Sequence, residues 1–141
     1  MDPIFNESWH DLGEHEHGDD FEDLAVRHEE KTNLVYQRIK KLEGHSKMSG
    51  VLVRDIEDGI VRYIKAVDKL SLAKINNEEK DEKKRADEAR RFAHNALIDS
   101  LNILNRYCVK NGLDTGWRNM VGLDRDQVRD WALVVSKKIL T

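Results

Sequence analysis

Apolar residues recur every three or four positions along most of this chain, the spacing that places side chains on one side of an α-helix. The strongest such pattern predicts a helix from about Val51 to Asn76, with apolar positions Val53, Ile56, Ile60, Tyr63, Ile64, Val67 and Leu70. Weaker patterns predict a first helix from about Asp20 to Leu42 and a last helix from about Arg125 to Leu140. No alternating strand pattern competes with them. The chain is therefore predicted to be all-α, a helical bundle of about four helices built on a long antiparallel hairpin.

Short polar segments separate the predicted helices. Gly44–Gly50 is small, polar and bracketed by glycines, so we interpret it as a connection or hinge. Asn76–Lys84 is polar throughout and is either the tip of the hairpin or a solvated helical extension. Asn111-Gly112 is typical of a helix C-terminus, and Leu113–Leu123 is predicted to be irregular. Asp124 then suits the N-cap position of the last helix.

The third predicted helix, Lys84–Lys110, has two very different sides. If Arg91 is set at zero and each residue advances about 100°, a polar stripe falls within about 60° of Arg91. Besides Arg91, this polar stripe contains His94, Asn95, Ile98, Asn102, Asn105 and Arg106. The opposite side is apolar over roughly half the circumference, so we expect it to be buried against more than one neighbouring helix. Its residues are Ala86, Ala89, Phe92, Ala93, Ala96, Leu97, Leu101, Ile103, Leu104, Tyr107 and Cys108.

Asparagine and histidine form helices less readily than Glu, Lys or Gln, and their polar atoms need partners when they are covered. Three explanations of the polar stripe stay open. The stripe forms a buried network with another helix, subunit or loop, or it lines a pocket that binds phosphate oxygens and the edges of a base or sugar. The third explanation is a plain solvated face. Arg62 joins the pocket if the hairpin brings it beside the stripe. The predicted ligand-binding residues are Arg62, Arg91, His94, Asn95, Asn102, Asn105 and Arg106, and no catalytic or metal site is predicted.

Charge is unevenly distributed along the chain. Residues 1–26 contain nine acidic side chains and no Lys or Arg, whereas residues 27–141, with 24 basic and 18 acidic side chains, carry a net charge of +6. Residues 1–20 are predicted to be a flexible acidic arm whose histidines bind metal only adventitiously, and residues 21–141 to be a single helical domain. A mildly basic body suits a small anionic ligand. It lacks the basic patches and motifs of proteins that bind duplex nucleic acid.

Composition also bears on compartment and class. The single cysteine, Cys108, lies on the apolar side of its helix, which predicts a packed thiol and a reducing compartment. With no long apolar run and no signal peptide, we expect a cytoplasmic protein without a membrane partner. Nucleotide-binding loops, metal-binding pairs and nucleophile motifs are missing, which predicts a non-enzyme without a cofactor. Trp117 and Trp131 are expected in the core or at a dimer interface.

The run DEARRFAHNALIDSLNILNRY, from Asp87 to Tyr107, resembles the signature of a small helical domain family of bacteria and phages whose function is recorded as unknown. This resemblance covers about residues 50–110. More distantly, a hairpin with an arginine-rich, histidine-bearing second helix is similar to the phage proteins that sequester cyclic-nucleotide signals of anti-phage immunity, the anti-CBASS and anti-Thoeris sponges. That similarity implies a compact oligomer that binds a nucleotide between subunits without cleaving it. The residues it implicates are Arg91, His94, Asn95, Asn102 and Arg106.

These patterns and resemblances lead to one functional prediction and one alternative. The prediction is non-catalytic sequestration of a small phosphorylated or nucleotide-like signal molecule by a homo-oligomer. The alternative is a helical protein-interaction module, or a structural homodimer, in which the polar stripe is the seam between two subunits.

Overall fold

The computed structural model describes residues 17–122 and 124–140, with side chains described from residue 29 onward. These residues form helices and the connections between them, and no strand occurs within the described ranges, so the prediction of an all-α bundle is confirmed. No helix in these ranges combines the length and the apolar character needed to cross a membrane. The helices are α1 (His17–Leu42), α2 (Lys47–Ile75), α3 (Lys80–Asn111), α4 (Gly116–Val121) and α5 (Arg125–Ile139).

The chain divides into two compact units, residues 1–31 and residues 32–141. In the first unit the described residues are 17–31, which belong to α1. The second unit contains the end of α1 together with α2, α3, α4 and α5. Most of the predicted acidic arm lies outside the described residues, and its histidines lie outside the described side chains. The arm and the domain boundary at residue 20 therefore stay predictions.

Helices α2 and α3 form the long hairpin of the second unit. They approach closely where Gly59 meets Leu97, because a Cβ atom at position 59 would stand 3.4 Å from Cδ1 and 3.7 Å from Cα of Leu97. The chain reverses at Asn76–Glu79, and Asn77 adopts a positive φ of 50° there. Helix α5 packs on α2, and α4 contacts both α3 and α5. The fully buried side chains of this core include Val53, Ile56, Ile60, Tyr63, Leu97, Leu101, Leu104, Val128 and Val135.

Helix α2 begins earlier than the sequence pattern predicts. Residues 47–50 were expected to belong to a connection, but they form the first turn of α2. The cause is a capping box at Ser46, whose Oγ accepts a hydrogen bond from the N–H of Ser49 at 3.0 Å. In return, the N–H of Ser46 donates to Oγ of Ser49 at 2.8 Å. These two bonds satisfy donors that a helix start leaves unpaired, so a polar, glycine-containing segment becomes helical.

The segment Leu113–Leu123, predicted to be irregular, contains the short helix α4. Trp117 of this helix is fully buried, and its Nε1 donates to the carbonyl oxygen of Asp114 at 2.8 Å. The large buried ring and its hydrogen bond hold the turn that starts the helix. Trp131 of α5 is also buried. Both tryptophans therefore lie in the core, which is one of the two predicted locations, the other being a dimer interface.

The two predicted caps beside this segment are confirmed. Gly112 ends α3 in the left-handed conformation, with φ of 67°, which glycine adopts without steric cost. Asp124 begins α5 by accepting a hydrogen bond from the N–H of Gln127 at 2.9 Å. Both ends of the connection are therefore fixed by local sequence.

The apolar side of α3 was expected to pack against more than one neighbouring helix; α2 and α4 both contact α3, but this side is only partly covered. Phe92 is 74% exposed and Ile103 is 42% exposed. The residues that α3 buries form a narrower stripe, namely Ala86, Arg90, Ala93, Leu97, Leu101, Leu104 and Cys108. Because α2 covers this stripe, the apolar side chains next to it stay in contact with solvent. Cys108 is fully buried, and burial raises the pKa of its thiol, as expected of a packed cysteine.

Candidate functional site

Two neighbouring arginines of α3 share one carboxylate. Arg90 donates from Nε and Nη2 to Oδ1 of Asp87 at 3.3 and 3.1 Å. Nε of Arg91 lies 3.2 Å from Oδ2 of the same Asp87. The hydrogen bond from Arg90 lowers the pKa of Asp87, and the charges of Arg91 and Arg125 lower it further. Three guanidinium groups therefore act on this one carboxylate.

The two arginines differ in how firmly they are held. The side chain of Arg90 is 6% exposed, whereas that of Arg91 is 68% exposed. A solvent-exposed ion pair contributes at most about 1 kcal/mol, so little free energy opposes the exchange of Asp87 for another anion at Arg91. Arg90 is fixed by packing and by Asp87. The pair thus combines a fixed cation with one that is free to turn toward a ligand.

A second polar pair lies one helical turn further along α3. The rings of His94 and of Tyr63, on α2, are 5.5 Å apart between centroids and inclined at 56°. Tyr63 is fully buried. Its Oη and the Nε2 of His94 are buried atoms without a hydrogen-bond partner in the part of the chain that the structure describes. Buried phenol and imidazole groups normally have hydrogen-bond partners, so these two atoms are exceptions among the described residues, as are Oδ1 of Asn33 and Asn105 and Nε1 of Trp131.

Asn102 takes part in an internal network. Its Oδ1 accepts a hydrogen bond from Nε of Arg118, on α4, at 2.9 Å. Arg118 is buried, and its Nη1 also donates to the carbonyl oxygen of Gly122 at 2.9 Å. Burial lowers the pKa of the Arg118 guanidinium, since the charged form loses its water. Asn102 therefore anchors α4 to α3.

The structure separates the seven predicted ligand-binding residues into groups. Arg91 pairs with the Asp87 carboxylate, and His94, about one turn further along α3, lies against the Tyr63 ring. Asn102 and Asn105 are half-buried. Asn102 binds Arg118, whereas the buried Oδ1 of Asn105 has no hydrogen-bond partner within the described ranges. The remaining three residues, Arg62, Asn95 and Arg106, are exposed, as Arg91 is. At about 100° per residue, Arg106 lies about 120° around α3 from His94, so one small ligand does not reach both.

Sequence reasoning missed Arg90, Asp87 and Tyr63 as members of this site. Arg90 falls on the apolar side of the helical projection, and Tyr63 was assigned only to the core. A signal was present in the spacing, because Asp87 precedes the two arginines by three and four residues, the separation at which helical side chains meet. The contact between Tyr63 and His94 depends on the register of the hairpin, which one sequence does not fix.

Within the residues whose side chains are described, no three His, Cys, Asp or Glu side chains form a group suited to a metal ion. The histidines and acids of residues 1–20 lie outside those side chains, so the expectation of adventitious metal binding there is not addressed.

The chain matches the family described as "Protein of unknown function (DUF3232)" over residues 21–131. It belongs to this family. The predicted membership of a family of unknown function is thus confirmed, over a longer stretch than the residues that carried the resemblance. No curated protein matches the chain, and no solved structure does. No catalytic family is indicated.

Proposed function

We propose that the protein binds a small phosphorylated or nucleotide-like molecule on α3 and retains it without chemical change. The observation that carries this proposal is the Tyr63–His94 pair, whose Oη and Nε2 are buried and without partners in the described ranges. The pair lies one helical turn from Arg90 and Arg91. Unpartnered polar atoms beside surplus positive charge favour a ligand that is both anionic and rich in hydrogen-bonding groups.

Each group has a distinct task in this proposal. The guanidinium of Arg91 turns from Asp87 to a phosphate oxygen, and Arg125 adds to the positive potential that already lowers the pKa of Asp87. The phenol of Tyr63 and the imidazole of His94 supply a donor and an acceptor for a base or a sugar hydroxyl. Binding then satisfies atoms that are otherwise buried without partners, which favours slow release.

The most specific form of the proposal is a sponge for a nucleotide signal of anti-phage defence. A sponge lowers the free concentration of its signal by stoichiometric binding, so it needs affinity and slow dissociation but no catalytic group. The Tyr63–His94 pair and the arginines offer charge and hydrogen bonds of the kind that such binding requires.

The test is to purify the intact protein, denature it and identify the released small molecules by mass spectrometry. In parallel, the melting temperature is measured with a panel of linear mononucleotides, cyclic mononucleotides and cyclic dinucleotides. A ligand at 100 times its Kd adds about 2.7 kcal/mol to the free energy of unfolding, which corresponds to a rise of several degrees. Recovery of the added nucleotide intact distinguishes sequestration from hydrolysis.

Two variants make this test specific to the site. Arg91→Ala is expected to abolish the rise in melting temperature, whereas Arg85→Ala is the matched control. Arg85 is 71% exposed and forms an ion pair with Glu82 three residues away on the same helix, much as Arg91 does with Asp87. Equal loss of binding in both variants would show nonspecific attraction. An empty protein that no nucleotide stabilises would refute the proposal.

A second candidate function is a helical protein-interaction module. The observation behind it is that Asn102, in the polar stripe, already bonds to Arg118 of the same chain, so part of the stripe has a structural role in place of ligand binding. If the stripe serves only as a seam or an internal network, Arg91→Ala lowers the melting temperature or changes the oligomeric state and no small molecule is recovered. In the ligand proposal, the same variant keeps its fold and oligomeric state and loses only the nucleotide.

A further inference from the structure

Helix α3 presents an apolar row on the side that neither α2 nor α4 covers. Its ends are Phe92, which is 74% exposed, and Ile103, which is 42% exposed. These residues are eleven positions apart, which is close to three full turns, so they lie on the same side of the helix. Ala96 lies between them and is half-buried. Single exposed apolar side chains are common, but two large ones aligned on one side of a helix offer a surface that another protein could cover.

Opposite charges flank this row at its two ends. Glu88 lies one turn before Phe92, and Arg106 lies one turn after Ile103. They are eighteen positions apart, which is five full turns, so they share one angular position on α3. Both are exposed, and neither has an ion-pair partner among the described residues.

To within half a residue, about 0.75 Å along the helix, the row and its flanking charges are symmetric about one point of α3. Phe92 and Ile103 are equidistant from the bond between residues 97 and 98, and Glu88 and Arg106 are equidistant from residue 97. The exposed Asn95 and Asp99 are also equidistant from residue 97. A two-fold axis through this point brings each residue of a pair against the other residue of that pair in a second copy.

We infer that this row is the interface through which two copies of the chain associate, with their α3 helices antiparallel. Phe92 of each copy packs on Ile103 of the other, and Glu88 of each copy pairs with Arg106 of the other. The amide of Asn95 donates to the carboxylate of Asp99 across the axis. Each of these contacts is made twice, which is what an isologous interface requires.

Charge selects the antiparallel arrangement over the parallel one. If the helices ran parallel in register, Glu88 would face Glu88 and Arg106 would face Arg106, and like charges at close range are destabilising. In the antiparallel arrangement Arg85 approaches Lys110 of the second copy. This repulsion is reduced because Arg85 is already paired with Glu82 at 2.6 Å.

This interface uses a different set of residues from the proposed ligand site. Phe92 lies about 160° around α3 from His94 and about 100° from Arg91, whereas Glu88 lies about 60° from Arg91. It also gives Asn95 and Arg106 a role other than ligand binding. The proposed ligand site and the proposed interface can therefore be tested separately.

The first experiment measures the oligomeric state of the full chain by sedimentation velocity and light scattering across a range of concentrations. The wild type is expected to be a dimer, and Glu88→Arg and Arg106→Glu are each expected to weaken the dimer at least tenfold. The double variant with both substitutions is expected to restore it, because the charge pair is re-formed with its signs exchanged. Lys65→Glu is the control, since this exposed residue lies about 120° around α2 from Gly59, which contacts α3.

The second experiment tests the register directly. A chain carrying both Phe92→Cys and Ile103→Cys is expected to form a disulfide-linked dimer on mild oxidation, whereas Phe92→Cys alone is not. Two Phe92 positions would be roughly 16 Å apart along the axis, too far for a disulfide. Residues 92 and 103 of one chain are separated by the same distance, so the bond has to join two copies.

Three results would overturn this inference. The first is a wild type that stays monomeric at every concentration, even if another molecule is found to bind the row. The second is a dimer that is insensitive to both charge reversals, or that the double variant fails to restore. The third is cross-linking by Phe92→Cys alone to the same extent as by the paired cysteines.

Discussion

The rings of Tyr63 and His94 meet at 5.5 Å between centroids across the α2–α3 hairpin, and each carries a buried polar atom without a partner in the described residues. Such an atom costs about 1–3 kcal/mol of stability relative to a satisfied one. The proposed ligand would relieve this unfavourable arrangement. Sites that are used for binding commonly show this conflict with stability.

Tyr63→Phe separates stability from binding. The substitution removes the unpartnered hydroxyl and keeps the ring, so the free energy of unfolding of the empty protein is expected to stay the same or to rise by about 1 kcal/mol. The rise in melting temperature caused by the ligand is expected to shrink. Chemical denaturation with and without the nucleotide found in the panel measures both quantities. A loss of more than 1 kcal/mol in the empty protein would show that the hydroxyl has a structural partner.

Asn102→Ala is expected to destabilise the fold. It leaves Nε of the buried Arg118 without its acceptor, at a cost of about 1–3 kcal/mol in the free energy of unfolding. The exposed Asn95→Ala is the control and is expected to change stability by less than about 0.5 kcal/mol. Urea denaturation at low protein concentration, where dimerisation contributes little, measures both. Similar effects of the two substitutions would contradict the anchoring role of Asn102.

Gly122→Ala is expected to destabilise the connection between α4 and α5 by about 1–3 kcal/mol. Gly122 has φ of 100°, and a Cβ atom there would stand 2.6 Å from Cβ of Gln127. Gly44→Ala serves as the control, because no atom lies within 4 Å of a Cβ at that position. Thermal unfolding followed by circular dichroism compares the two variants. If Gly122→Ala has the same melting temperature as the wild type, the positive φ at this position is not needed in solution.

The ion pair between Arg38 and Asp114 predicts a pH dependence of stability. Arg38 donates from Nε and Nη2 to the two oxygens of Asp114 at 2.8 and 2.6 Å, and this lowers the pKa of Asp114. The charged carboxylate stabilises the folded state when the pH is above its pKa in the unfolded chain, which is 3.8. This stabilisation is lost as the pH falls through the lower pKa of the folded state. Asp114→Asn is therefore expected to be less stable than the wild type at pH 7, with a difference that narrows below pH of about 4.

Unfolding by urea at a series of pH values tests this prediction. Asp126→Asn is the control, because its carboxylate is 77% exposed and lies 3.7 Å from Arg129. Asp126→Asn is expected to have little effect at any of these pH values. A constant difference between Asp114→Asn and the wild type across the series would show that the charge of Asp114 is not what stabilises the fold.

The helices themselves could be predicted because their causes are local. The apolar spacing of α2, the cap at Asp124 and the left-handed Gly112 each depend on residues within a few positions of one another. The start of α2 shows where this approach fails. Gly44–Gly50 has the composition of a connection, but two serines three residues apart form a capping box that outweighs it.

The candidate site could be predicted only in part. The helical projection placed Arg91 and His94 in one stripe, and in the structure Arg91 pairs with Asp87 while His94 lies against Tyr63. The same projection placed Arg106 in that stripe, although it lies too far around the helix from His94 to share a small ligand. A projection gives the angle of each residue, but it does not show which angles a neighbouring helix will cover.

The sequence by itself determined that this chain is helical, where most of its helices end and that its third helix carries unusual polar residues, because periodicity, capping and charge act over a few residues. The tertiary structure decided which side of α3 is buried, since that depends on how α2 and the later helices pack against it. Packing left Phe92 exposed, buried Arg90, and set Tyr63 beside His94. These outcomes depend on how helices that are distant in sequence are aligned against each other. The alignment is selected by side-chain packing between formed helices and not by local sequence.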